Sequence, residues 1–158
     1  MAAASLDQID RTILHDLQED GRITNVELAR RAGLTAPPCL RRVRSLEEAG
    51  VIESYHAKLN AAALGYGIMV FALVSLRSQA EDDLRLFEAH VAGLPEVREC
   101  HMLNGEIDFI LKIVAHDLQA FQLFLTSKLT TAPNVASVKT SLTIRTSKDI
   151  PGVPVDNR

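Results

Sequence analysis

The sequence predicts an α+β fold in two parts, three short helices followed by a βαββαβ unit. Three features of its 158 residues predict it. Apolar residues recur at helical spacing between Leu6 and Leu46. Glycines 21, 33 and 50 fall where the helical segments end. From Ile68 onward, apolar strand-like runs alternate with two amphipathic helical patterns.

In "SLDQIDRTILHDLQEDGRI", Leu6, Ile9, Ile13, Leu14 and Leu17 share one helical face, with Ser5 or Asp7 as cap and Gly21 as stop. "TNVELARRAGL" forms the second helix, capped by Thr24 or Asn25, with Val26, Leu28 and Ala29 facing inward. Thr35 caps the third. Its prolines, Pro37 and Pro38, sit in the first turn, where a missing N–H has no intrahelical partner to lose. That helix runs to Ala49, stops at Gly50, and is anchored by Leu40, Val43 and Leu46. "VIESYHAKLN" reads as extended, long enough for a short strand pair or wing. The glycine-containing turn between helices two and three makes a helix-turn-helix, so residues 1–60 are expected to form a winged helix-turn-helix domain. Residues 61–67 are the expected linker.

In the second half, Ile68 to Arg77 is a strand. "AEDDLRLFEAHVAGL" is a helix with Leu84, Phe87, Val91 and Leu94 on one stripe. "VRECHMLN" and "DFILKIVA" are strands, "DLQAFQLFLTSKL" a helix, and "VASVKTSLTIRT" an alternating strand. The order implies a ferredoxin-like domain over 68–158, both helices on one face. Strands one and three are central in that topology, and here they are near-continuous apolar runs, as in strands covered on both faces. Two helices cover only one face, so the other is expected to meet a second copy of the chain, giving a two-fold dimer.

The composition, 47% hydrophobic and 23% charged, is that of a globular chain. No stretch approaches the roughly 20 apolar residues that span a bilayer. The start, "MAAASLDQIDR", has no signal-peptide pattern, and two cysteines are too few for a disulfide framework. A cytoplasmic location and no membrane partner are expected. The net charge is −3, yet from Leu28 to Leu46 there are five arginines and no acid. A local basic strip tracks phosphates without the whole chain being basic. The third helix carries Arg41, Arg42 and Arg44 early and Glu47 and Glu48 late, against the helix dipole, which favours acids first. An anion facing the first turns resolves this. In a helix-turn-helix the second helix of the pair enters the major groove, so Thr35, Pro38, Arg41, Arg42 and Arg44 are expected to face double-stranded DNA.

On "LDQIDRTILHDLQEDGRITNVELARRAGLT", "PPCLRRVRSLEEAGVI" and "VRECHMLNGEIDFILKI", the chain resembles the Lrp/AsnC family of transcription regulators over nearly its whole length. The resemblance implies a DNA-binding first half and a second half that binds a small effector and oligomerises. It implies bacterial, nucleoid-associated dimers that assemble further, to octamers, and bind an amino acid between subunits, with no other cofactor and no metal. It adds Cys39 to the DNA-facing residues, and places Asn104, Gly105, Glu106 and Asp108 in the effector loop, with Ser141 and Leu142 on the last strand. The paired prolines depart from the commoner version, which has a polar residue before Pro-Cys.

The chemistry of the loop fits a free amino acid. Asp108 is a candidate acceptor for its ammonium, and backbone N–H groups around Gly105 are candidate donors to its carboxylate. The competing reading is a hairpin turn in which Asp108 caps its own loop. The five histidines are scattered, and none recurs at metal-ligand spacing with the cysteines. The expectation is therefore a non-enzyme. The alternatives are a small ferredoxin-like enzyme, or a redox-sensing regulator in which arginines lower the pKa of Cys39.

Overall fold

The computed structural model describes residues 5–155 and divides into two compact units. Residues 1–4 and 156–158, the outer ends of the two expected domains, lie outside the described residues. The first unit holds α1 (Gln8–Glu19), α2 (Asn25–Arg31) and α3 (Ala36–Glu48). Asp7 starts α1 with a capping box: its carboxylate accepts from Asp10 N at 2.8 Å, and its own N–H donates to the Asp10 carboxylate at 3.3 Å. Thr24 caps α2 through Glu27 N at 3.2 Å.

Both later helices end in the same six-residue motif. After α2, Gly33 N donates to Arg30 O and Leu34 N to Ala29 O; after α3, Gly50 N donates to Glu47 O and Val51 N to Leu46 O. Gly33 and Gly50 each hold φ +68°, which a β-carbon would strain. The turn between α2 and α3 is thus fixed by a glycine and by the partly buried Leu34 after it, packed against the core. Ile13, Leu28, Ala29, Cys39 and Leu46 form the core beneath.

Two inward assignments change. Val26 is 72% exposed, and Leu40 is 40% exposed while its neighbour Cys39 is fully buried. The buried face of α3 is Cys39, Val43 and Leu46: the last two anchor the helix as expected, and Cys39, a small hydrophobe, takes the place expected of Leu40. Residues 53–60 form no ladder, so the expected strand pair is absent from this segment. An extended segment needs a partner backbone to become a strand, and these residues are exposed.

Residues 148–155 group with the helical unit. Gln18 and the Val153 backbone bond reciprocally (Nε2 to Val153 O at 2.8 Å, Val153 N to Oε1 at 3.1 Å), and Lys58 Nζ meets the Asp149 carboxylate at 2.8 Å. No apolar pattern marks such contacts.

The second unit, Leu59–Ser147, carries β1 (Ile68–Leu76), α4 (Glu81–Ala92), β2 (Val97–Met102), β3 (Phe109–Ala115), α5 (Leu118–Phe124, extended by a π-helical turn to Leu129) and β4 (Val135–Leu142). The sheet order is β2-β3-β1-β4, all antiparallel, so β1 and β3 are central as the topology predicts. Alternate residues of the central strands, among them Val70, Val74, Phe109, Leu111 and Ile113, are buried in one core with Phe87 and Val91 of α4 and Phe121 and Phe124 of α5. The Phe87 and Phe109 rings lie 4.8 Å apart. The alternate residues on the opposite face, Met69, Phe71, Leu73, Ile110 and Val114, are only half-buried. In their midst Lys112 Nζ pairs with Glu99 at 2.8 Å, so this face is apolar with one ion pair set into it.

Candidate nucleic-acid interface and effector loop

The first turn of α3 has an unusual hydrogen-bond problem. A threonine at the N-cap accepts from the N–H of the second or third helical residue. Here those residues are Pro37 and Pro38, which have none. Thr35 therefore makes no cap bond, correcting the expectation that its side chain caps the helix, and its hydroxyl stays exposed. Asn25 secures the same turn from α2, donating from Nδ2 to Ala36 O at 2.8 Å.

The five arginines of the acid-free strip separate into two groups. Arg30 and Arg31 both bind Glu27, at 2.6 and 2.8 Å. Arg42 turns back to α1, its Nη1 2.8 Å from Asp7 and 2.7 Å from Asp10. Its guanidinium is thus held by two carboxylates of α1 rather than standing free on the outer face of α3. Cys39, which the resemblance places at the DNA, is fully buried in the core, and burial pushes its thiol pKa up rather than down. Pro38 is half-buried. Arg41 and Arg44 remain exposed and, among the described residues, make no ion pair or side-chain hydrogen bond. With Pro37 and Leu40 they form a stripe at i, i+3, i+4 and i+7, all exposed, opposite the face anchored by Cys39 and Leu46. Pro37 and Leu40 were missed in the sequence, although their spacing to the arginines carried the signal.

Hydrogen bonds from Arg30 and then Arg31 pull the Glu27 pKa down to about 2 from an ordinary 4.5. A lowered folded-state value means stability that is complete above about pH 4.5 and is lost as pH falls towards 2. Glu27→Gln should flatten that acid limb: in melting temperature against pH, the variant falls less steeply than wild type over this window. Parallel profiles would show that Glu27 does not hold the two arginines in solution.

In the second unit, the loop from Leu103 to Asp108 joins β2 to β3 and is closed by Leu103 N donating to Asp108 O at 2.8 Å. Asn104, Gly105 and Glu106 are exposed on it. A β-carbon built on Gly105 meets nothing within 4 Å, so packing within its own chain does not demand a glycine there. Asp108 is different. It is 7% exposed, its Oδ2 accepts from Leu76 N at 2.7 Å, and its Oδ1 accepts from Gln79 Nε2 at 2.7 Å. Both oxygens are engaged where β1 leaves the sheet for α4. Asp108 is thus engaged within its own chain, and the group it ties down is the β1–α4 connection.

Ser141 and Leu142 are exposed on β4, paired with Phe71 and Val70. The loop instead lies beside Leu76, five or six residues further along β1, roughly 17–20 Å at 3.3 Å per residue. One chain does not bring the two parts of the expected effector site together. A separate cleft of about 290 Å³ lies between α4 and β2, bordered by Glu88, Arg98, Cys100 and Met102. Burial and then the Glu88 charge push the Cys100 thiol up to about 11.

Comparison with known proteins agrees with both halves. Residues 6–53 match the winged helix-turn-helix DNA-binding model, and residues 69–153 match the Lrp/AsnC ligand binding domain. The chain is 56% identical over 144 residues to the leucine-responsive regulatory protein of Rhizobium meliloti (strain 1021), covering 91% of this chain and 92% of that protein. It is 43% identical over 135 residues to the protein of that name from Escherichia coli (strain K12), covering 85% and 82%. A transcriptional regulator from Neisseria meningitidis, solved in complex with L-Met, superposes with a TM-score of 0.92 at 38% identity, over 96% of this chain and 98% of that one.

Proposed function

The chain belongs to the Lrp/AsnC family of DNA-binding transcriptional regulators, and from that premise we propose that a free amino acid, bound between subunits, sets its affinity for double-stranded DNA. The observation that carries the DNA half is the outward stripe of α3, where Arg41 and Arg44 stand exposed and, among the described residues, make no ion pair or side-chain hydrogen bond. Thr35 adds a free hydroxyl at the end of the helix nearest the bases.

The effector site is composite. The loop of one chain contributes Asn104, Gly105 and Glu106, and the end of β4 of another contributes Ser141 and Leu142. Their separation within one chain supports a site shared between copies. Glu106 takes the role of acceptor for the ammonium group, since Asp108 is already spent. Exposed backbone around Gly105 receives the carboxylate, with no side chain in the way. Copies pair through the half-buried sheet face, where Met69, Phe71, Leu73 and Val114 await cover, and dimers assemble into an octamer. The protein works where the DNA is, in the cytoplasm at the nucleoid. It is a regulator and not an enzyme, and the amino acid is its one small-molecule partner. The redox alternative through Cys39 has little support, because the thiol is buried and its pKa raised.

Thermal unfolding of the purified protein against each of the twenty amino acids tests the effector half. L-Met comes first, because the Neisseria meningitidis neighbour was solved with it. An effector at 100 times its dissociation constant should stabilise the fold by about 2.7 kcal/mol. No shift with any of the twenty would count against an amino-acid effector.

A further inference from the structure

We propose that Leu40 reads thymine, its side chain meeting the C5-methyl group in the major groove between two phosphate contacts made by Arg41 and Arg44. This rests on the DNA-binding reading above and extends it to a base-specific contact. A single exposed leucine means little on its own. Its place on this helix means more. Leu40 is 40% exposed although Cys39 beside it is fully buried, so α3 turns the cysteine to the core and the larger apolar side chain outward. Leu40 and the exposed Pro37 form the apolar part of a stripe whose remaining members are Arg41 and Arg44.

Charge complementarity identifies the occupant. Among the described residues the two guanidiniums pair with no acid, while every other arginine from Leu28 to Leu46 has one. A surface of two free cations around an apolar tip matches a groove with phosphate walls and a methyl-bearing floor. The thymine methyl is the apolar group that the major groove displays, and aliphatic side chains recognise it by contact. Leucine has no donor or acceptor, so it gives no preference through hydrogen bonds. Its contribution is a preference for thymine at one position in each half-site.

Removing the methyl tests the contact. A duplex enriched by wild-type protein from a random pool serves as probe, with its thymines replaced by deoxyuridine one position at a time. Wild type should lose about fourfold in affinity at one thymine per half-site, the value of one buried methyl. Leu40→Ala should bind the thymine and deoxyuridine duplexes equally, and Leu40→Met, which keeps an apolar tip, should restore the difference. Equal loss in wild type and Leu40→Ala would overturn the proposal, as would indifference of wild type to every replacement. An altered assembly state in Leu40→Ala with unchanged thymine preference would also overturn it, assigning the patch to a contact between copies. If no duplex is enriched at all, the DNA-binding reading fails first and this inference falls with it.

Discussion

Replacing Arg41 and Arg44 together by alanine should remove most specific DNA binding while leaving the unfolding midpoint unchanged. Neither side chain supports the fold: both are exposed, and neither makes an ion pair or side-chain hydrogen bond among the described residues. A hydrogen bond to a charged group contributes about 1.5–3 kcal/mol, so the pair, meeting phosphate, should cost about 3–6 kcal/mol per chain on every sequence alike. Electrophoretic mobility or fluorescence anisotropy on a selected duplex measures this. Arg42→Ala is the informative control. Its loss frees Asp7 and Asp10 from their shared cation, so it should lower stability with a smaller effect on DNA. The pKa of Asp7, depressed first by the Asp10 backbone N–H and further by Arg42, should then rise towards its ordinary value. Undiminished DNA binding by the Arg41, Arg44 double variant, in folded protein, would remove α3 from the interface.

Asp108→Ala should destabilise the second unit by about 1–3 kcal/mol, the cost of leaving the buried Leu76 N–H without an acceptor. The same change frees Gln79, and with it the connection into α4. Urea unfolding gives the size of the effect. The folded fraction should keep its affinity for the effector, since neither carboxylate oxygen is free to meet an ammonium. Asp108→Asn, which retains one acceptor, should lose less. The opposite pattern, unchanged stability with the ligand response abolished, would make Asp108 a ligand contact after all.

These two sites also show how far a sequence can be read. Helix positions, the glycine stops at 33 and 50, and the central placement of β1 and β3 depend on local spacing, and local spacing is visible in the chain. The partners of Arg42 are not local: Asp7 and Asp10 lie 35 and 32 residues upstream. The strip from Leu28 to Leu46 holds five arginines and no acid, yet Glu27, which binds Arg30 and Arg31, stands one residue before it. Asp108 likewise finds Leu76 and Gln79 some 30 residues back, across a sheet whose register no turn signal specifies. On α3 the expected spacing holds at Val43 and Leu46 and fails only at Leu40. Leu40 fits the apolar spacing, yet Cys39 occupies the core position, in one cluster with Ile13 and Leu28. The separation of Gly105 from Ser141 follows from strand pairing alone, and became legible only with the register.

Salt dependence tests most directly whether α3 is the surface that meets DNA. Each phosphate contact releases counterions, so log affinity against log salt steepens by about 0.9 units per contact. Measured on one selected duplex, the Arg41, Arg44 double alanine variant should show a slope shallower than wild type by about 1.8 units per chain if both arginines meet phosphate. Coincident slopes would contradict it, and would mean that the protein holds DNA by some other surface.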